Sequence, residues 1–171
     1  KINCQSILMK NIKFLLAFIL FSVMSCSNED TTEDGTFHTI IALKDYTHSA
    51  FELELLNLVN EDRISKDLDI FIIINEISYL ASTHDDYMIE HGVASHDNFE
   101  QRVYTLKAVL NAISVSENVA VGYNSPTTTL AAWNDSAGHR INLEGNYSHY
   151  GLAVKADANG KKYYTLLLIR K

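Results

Sequence analysis

The stretch Tyr150-Gly151-Leu152-Ala153-Val154-Lys155, followed by Lys162-Tyr163-Tyr164-Thr165-Leu166-Leu167-Leu168-Ile169, decides the fold class of this chain. Both runs are short, mostly apolar and bounded by polar turn residues, which is how strands read. Between them lies Asp157-Ala158-Asn159-Gly160. Asn-Gly is the favoured pair for a two-residue hairpin because both positions need positive φ. The pattern therefore predicts a C-terminal β-hairpin turning at Asn159-Gly160.

Upstream the period changes to helical. A first helix is predicted over Ser49 to Lys66, with Leu56, Val59, Asn60 and Arg63 on one face. Asn60 and Arg63 are polar on that stripe, so they need partners when buried. Phe71-Ile72-Ile73-Ile74 is β-branched and reads as a short strand or the entry to the next helix. Asn75 is read as the N-cap of a second helix, Glu76 to His91, with Gly92 after its end. Its inward stripe is Ile77, Leu80, Ala81, His84 and Met88. A third helix is expected from Asn98 to Leu110, with Phe99, Val103, Leu106 and Leu110 inward. Ser125-Pro126, an N-cap followed by proline, starts a fourth that runs through Trp133. Helices first and a terminal hairpin give an α+β class, and no internal repeat is visible.

The N-terminal part reads as targeting and tether. Met9 is taken as the start, with residues 1–8 as upstream translation and residues 9–25 as a signal peptide. Met9-Lys10-Asn11-Ile12-Lys13 is a basic n-region, and Phe14 to Met24 is an apolar run of 11 residues. A spanning helix needs about 20. The run ends in Val23-Met24-Ser25-Cys26, which resembles the bacterial lipobox, so Cys26 is the expected lipidation site and the membrane the expected partner. Residues 26–48 read as an acidic tether and linker, and residues 49–171 as the folded domain. Within the linker, Phe37 to Ile41 shows no clear period and reads as linker or edge strand.

Residues 1–25 hold three lysines and no acid, which leaves 11 bases against 21 acids, a net of −10, on the rest. Such a surface repels phosphate backbones and excludes nucleic acid as a partner. The chain has two cysteines, Cys4 and Cys26. The folded region therefore has no internal disulfide and must be held by its core. A monomer is expected.

The chemistry lies in Ser95-His96, Glu117-Asn118-Val119-Ala120, Trp133 and Gly138-His139-Arg140. Two imidazoles and a carboxylate are ligand types that zinc prefers, and three protein ligands leave an open position where bound water turns acidic. The same groups suit general acid–base work, or a metal-free polar cluster that orders a cavity. His84 reads as a hydrogen-bonded core or cavity-edge residue, and His38, His48 and His149 as surface residues. Asn118 and Arg140 read as structural and Trp133 as core. Ser95, Ser114, Ser116 and Ser136 lie near the motifs, yet none sits in a Gly-x-Ser-x-Gly elbow.

Together with Leu56-x-x-Val59-Asn60-x-x-Arg63, Ala81-x-x-His84, Ser136-x-Gly138-His139-Arg140-x-Asn142 and Tyr150-Gly151-Leu152-Ala153-Val154, these motifs resemble the CAP superfamily in its short bacterial form. That superfamily takes in the cysteine-rich secretory proteins, antigen 5 and the pathogenesis-related 1 proteins. The resemblance covers Phe51 to Ile169. It implies a three-layer α-β-α sandwich of the CAP/SCP type around a cavity lined by His96, His139 and Glu117. It also implies zinc as a cofactor in some members. Members outside the bacterial branch often carry a second glutamate after the helix tryptophan. Here Trp133-Asn134-Asp135-Ser136 offers only Asp135, and Ser116 replaces the usual glycine before Glu117.

Two functions follow as expectations. One is an extracytoplasmic, lipid-anchored module whose His96/His139/Glu117 cavity binds a divalent metal, zinc above all, with a small ligand or lipid. The other is a hydrolase, a peptidase or esterase on cell-envelope substrates, using His96, Glu117 and His139 as catalytic residues.

Overall fold

The computed structural model describes residues 38–171; the predicted signal peptide and Cys26 fall outside them. Helix α1 (Ala50–Ser65) begins at a capping box: Ser49 Oγ accepts from Glu52 N, and the Glu52 carboxylate accepts from Ser49 N. Strand β1 (Ile72–Ile73), helix α2 (Asn75–His91) and helix α3 (Phe99–Leu110) follow. Strand β2 (Ser114–Val121) leads to helices α4 (Pro126–Asp135) and α5 (Ala137–Leu143), and the chain closes with β3 (His149–Ala156) and β4 (Lys162–Arg170). One four-stranded sheet runs β1-β3-β4-β2, with β1 parallel to β3 and the other pairs antiparallel.

Helices cover both faces of the sheet, which makes the three layers that the family resemblance implies. On one face Leu55, Leu56 and Val59 of α1, Trp133 of α4 and Leu143 of α5 meet Tyr150, Leu152, Tyr164, Leu166 and Leu168. On the other, Ile77, Leu80 and Ala81 of α2 and Leu106 of α3 meet Ala153, Leu167 and Ile169. Alternation along β3 and β4 sends each set to its own side. The α2 backbone lies against Gly151, where a Cβ would collide with the peptide between Ile77 and Ser78. Only glycine permits that approach.

The polar residues on the α1 stripe find the partners their burial demands. Asn60 bonds both backbone groups of Phe71 and the Tyr150 hydroxyl. Arg63 donates to the carbonyls of Asp69, Leu143 and Gly145. Asp85 of α2 is buried and accepts a 2.6 Å bond from Thr165 Oγ1, while its Oδ2 has no partner. Burial pushes this carboxyl well above its ordinary range.

Several expectations need correction. Asn75 is the first residue of α2 rather than its cap, because Ile74 holds the extended cap position and the Asn75 side chain bonds Asp45. In α3 the buried residues are Arg102, Thr105 and Leu106, while Val103 is only half-buried. Asn159 does not take positive φ; Gly160 alone does. The hairpin turns over five residues instead, with Asp157 Oδ1 accepting from the Asn159 and Lys161 amides and Gly160 taking the left-handed conformation. Residues 114–121, for which the sequence analysis gave no element, form edge strand β2.

Residues 38–49 contain no helix or strand, yet they are packed. His38 stacks on Tyr104, Ile41 N donates to Thr105 Oγ1 and Tyr46 donates to Glu52. His48 bonds Ser78 and His149 bonds Ser148, so the three histidines read as surface residues are half-buried with partners.

Candidate functional site

The motif residues gather around edge strand β2. Because side chains alternate across a strand, Glu117 faces α2 and α3 while Asn118 faces α4 and α5. Asn118 donates to the His139 carbonyl, and Asn142 bridges Asn118 Oδ1 and the Glu117 carbonyl. Trp133 is buried and donates from Nε1 to the Val119 carbonyl. Asn118 and Trp133 therefore tie α4 and α5 to the strand edge, and Arg140 fastens the α4–α5 joint through the Asn134 carbonyl.

Glu117 is the centre of the cluster. Its side chain is 1% exposed and forms a bidentate pair with Arg102, Nε to Oε2 at 2.6 Å and Nη2 to Oε1 at 2.7 Å. Oε1 also accepts from His96 Nδ1 at 2.9 Å. Burial alone would raise this carboxyl, but His96 and Arg102 outweigh it and hold it below its ordinary value. Glu117 is thus an anion in the folded protein. The same bond raises His96 above its ordinary value.

Arg102 and His84 clamp the loop that carries His96. Arg102 Nη1 donates to the Asp97 carbonyl at 2.8 Å and to His84 Nδ1 at 3.1 Å. His84 Nε2 donates to the Ser95 carbonyl at 2.8 Å. A carbonyl demands a donor and a guanidinium an acceptor, so His84 is neutral with its proton on Nε2. Burial first, then the Arg102 charge, lowers its pKa in agreement. The carbonyls on both sides of His96 are pinned, and its ring is oriented by Glu117. Its side chain is 54% exposed, and Nε2 is left free as an acceptor.

His139 sits on α5, on the other side of β2. Its Nδ1 is buried without a partner among the described residues, and burial together with the His96 charge lowers its pKa. With Ala94, Val119, Val121, Trp133 and Ser136 it lines a cavity of about 260 Å³. A second cavity of about 240 Å³ lies where Ile41 meets Arg102 and His84. The polar groups of those two side chains are already spent on Ser95, Asp97 and Glu117, so the first cavity is the better candidate.

The structure thus joins His96 to Glu117 directly and sets His139 across the strand edge. Asp135 is exposed and, among the described residues, makes no hydrogen bond to any of the three. Ser116 is buried with its hydroxyl unpartnered. Among the described residues, no three histidine, cysteine, aspartate or glutamate side chains are placed to share a metal ion. Glu117 suits the role of zinc ligand poorly: Oε1 accepts from both Arg102 and His96, Oε2 accepts from Arg102, and the side chain is 1% exposed. Arg102, the residue that sequence reasoning missed, lies three residues after Phe99 and four before Leu106 on one helix face. A charge on that stripe was the available signal.

The model of the cysteine-rich secretory protein family, CAP, matches residues 56–168, and the chain belongs to that family. Among curated proteins none matches the chain. Among solved structures it is similar to an outer surface protein of Borrelia burgdorferi, with a TM-score of 0.66 at 16% identity over 76% of this chain and 99% of that one. An extracellular protein of Bacillus anthracis containing an SCP domain gives 0.61 at 25% identity, over 70% of this chain and 40% of that one. A cysteine-rich secretory protein of Staphylococcus aureus gives 0.59 at 24%, over 70% and 38%. The chain thus spans about two-fifths of these last two proteins.

Proposed function

We propose that this domain is an extracytoplasmic binding module that takes a small apolar group into the cavity beside Trp133, with His139 and His96 hydrogen-bonding the polar head attached to it. The observation that carries this reading is the pairing of an apolar wall, Ala94, Val119, Val121 and Trp133, with the imidazole of His139 in the lining of one cavity. The volume suits one side chain or a short acyl segment, below the ~300–1,000 Å³ of pockets for drug-sized ligands. The location draws support from the relatives, named as outer-surface, extracellular and secretory proteins. The lipobox-like Val23-Met24-Ser25-Cys26 supports a tether to the bacterial envelope through lipid on Cys26.

Trp133 is the only tryptophan of the chain, and it lines the cavity, so its fluorescence reports occupancy directly. Titration with short fatty acids and with N-acylated amino acids should give a saturable change. Ala94→Phe, which fills the cavity from the loop side, should abolish it. Unchanged emission across both series, or a response that survives Ala94→Phe, would reject the reading.

A second reading rests on the bond from His96 Nδ1 to Glu117. It leaves Nε2 placed as a general base for a water molecule, as a carboxylate-oriented imidazole does elsewhere. Turnover of an ester or peptide substrate that is lost in His96→Ala while the protein stays folded would favour it; equal background in both proteins would remove it.

A further inference from the structure

We propose that the resident cation of this site is the guanidinium of Arg102, and that Glu117 therefore serves as the orienting anion of His96 and ligates no metal. The donor set carries the argument. A carboxylate oxygen has two lone-pair directions. Those of Glu117 Oε1 are used by Arg102 Nη2 at 2.7 Å and His96 Nδ1 at 2.9 Å. Oε2 holds Arg102 Nε at 2.6 Å, and the side chain is 1% exposed. A zinc ion within about 2.0–2.2 Å of either oxygen would sit against the guanidinium, where two like charges in a buried place repel strongly.

A carboxylate bonded to the far nitrogen of a metal-bound imidazole is a known arrangement. Here it would leave His96 Nε2 and His139 as the only protein ligands, against three or four in zinc sites. Arg102 is also a fixed part of the scaffold, with further bonds to His84 and to the Asp97 carbonyl. An exchangeable ion in its place would have to hold the His96 loop as well. The guanidinium does both at once, because its planar fork matches the carboxylate and its remaining donors reach the loop. This assignment holds whatever fills the neighbouring cavity.

Zinc titration by calorimetry on untagged protein tests it, with wild type, His96→Ala, Arg102→Gln and Arg102→Met compared. Wild type should show no zinc uptake beyond that of His96→Ala. Removing the guanidinium frees Glu117, so Arg102→Gln or Arg102→Met, whichever is folded by circular dichroism, should bind zinc at least roughly tenfold more tightly than wild type. Adding Glu117→Gln should erase that gain. One-to-one zinc binding by wild type that His96→Ala removes would overturn the proposal, as would a folded Arg102 variant that gains none. Should neither variant fold, the comparison of wild type with His96→Ala decides alone.

Discussion

Replacing Arg102 with methionine isolates the ion pair on which the site is built. Methionine keeps most of the buried stem but removes two bonds to Glu117, one to His84 and one to the Asp97 carbonyl. Glu117, whose side chain is 1% exposed in the wild type, is then left with only His96 as partner. Breaking a buried pair by deleting one partner costs ~3–5 kcal/mol, because the other charge stays buried. Urea unfolding at about pH 7 should show a loss of that size with an unchanged denaturant slope. The pH dependence has a definite sign. In wild type the folded Glu117 carboxyl lies below its ordinary value, so its contribution is present above the ordinary value and is lost as pH falls through the folded one. In Arg102→Met, burial acts with less opposition and the group takes up a proton more readily. The deficit should therefore be largest near neutrality and shrink on acidification. Combining Arg102→Met with Glu117→Gln should cost clearly less than the sum of the singles, by ~2 kcal/mol or more. Additive effects, or a loss under ~1 kcal/mol that is the same at both ends of the pH range, would refute the ion-pair account.

Three further outcomes follow from other parts of the fold. Gly151→Ala places a Cβ against the α2 backbone at Ile77 and Ser78 and should cost ~2 kcal/mol or more in urea unfolding; a change within ~0.5 kcal/mol would mean that α2 shifts freely on the sheet. Asp85→Asn should gain on wild type as pH rises: burial holds the Asp85 carboxyl well above its ordinary range, so wild type loses stability between the ordinary and the folded value. The difference in melting temperature should move in favour of the variant from about pH 4 to about pH 8, and a constant difference would contradict it. Ser49→Ala removes the hydroxyl that caps α1 and bonds Glu52, with an expected cost of about 1 kcal/mol by thermal or urea unfolding; no measurable cost would show that the Glu52 carboxylate caps the helix alone.

The first four helices and the terminal hairpin were legible because their signals are local, whereas the seven-residue α5 was not foreseen. Ser49 and Glu52 define a helix start, Gly92 ends α2 in the left-handed conformation, and the Leu56/Val59/Asn60/Arg63 stripe needs no knowledge of its partner. Strand β2 was not, because Ser114 to Val121 carries a buried glutamate and asparagine whose burial only the two flanking layers explain. The hairpin turn kept its place but not its type, since Asp157 captures the Asn159 amide and leaves positive φ to Gly160 alone. At the site, His96 and Glu117 were nominated by type and order, and they do meet. Arg102 was overlooked because a helical arginine ordinarily faces water. Nothing local to α3 states that a carboxylate fifteen positions on will neutralise it.

Glu117, held by Arg102, fixes His96 with its proton on Nδ1 and Nε2 free. Nitrogen chemical shifts of isotope-labelled histidine measure this directly, since the two neutral tautomers differ in which ring nitrogen resonates as protonated. Above its titration, His96 should show a protonated Nδ1 and an unprotonated Nε2, and Glu117→Gln should shift the balance to the mixture of an unconstrained imidazole. A wild-type His96 with its proton on Nε2, or a tautomer unaffected by Glu117→Gln, would contradict the account.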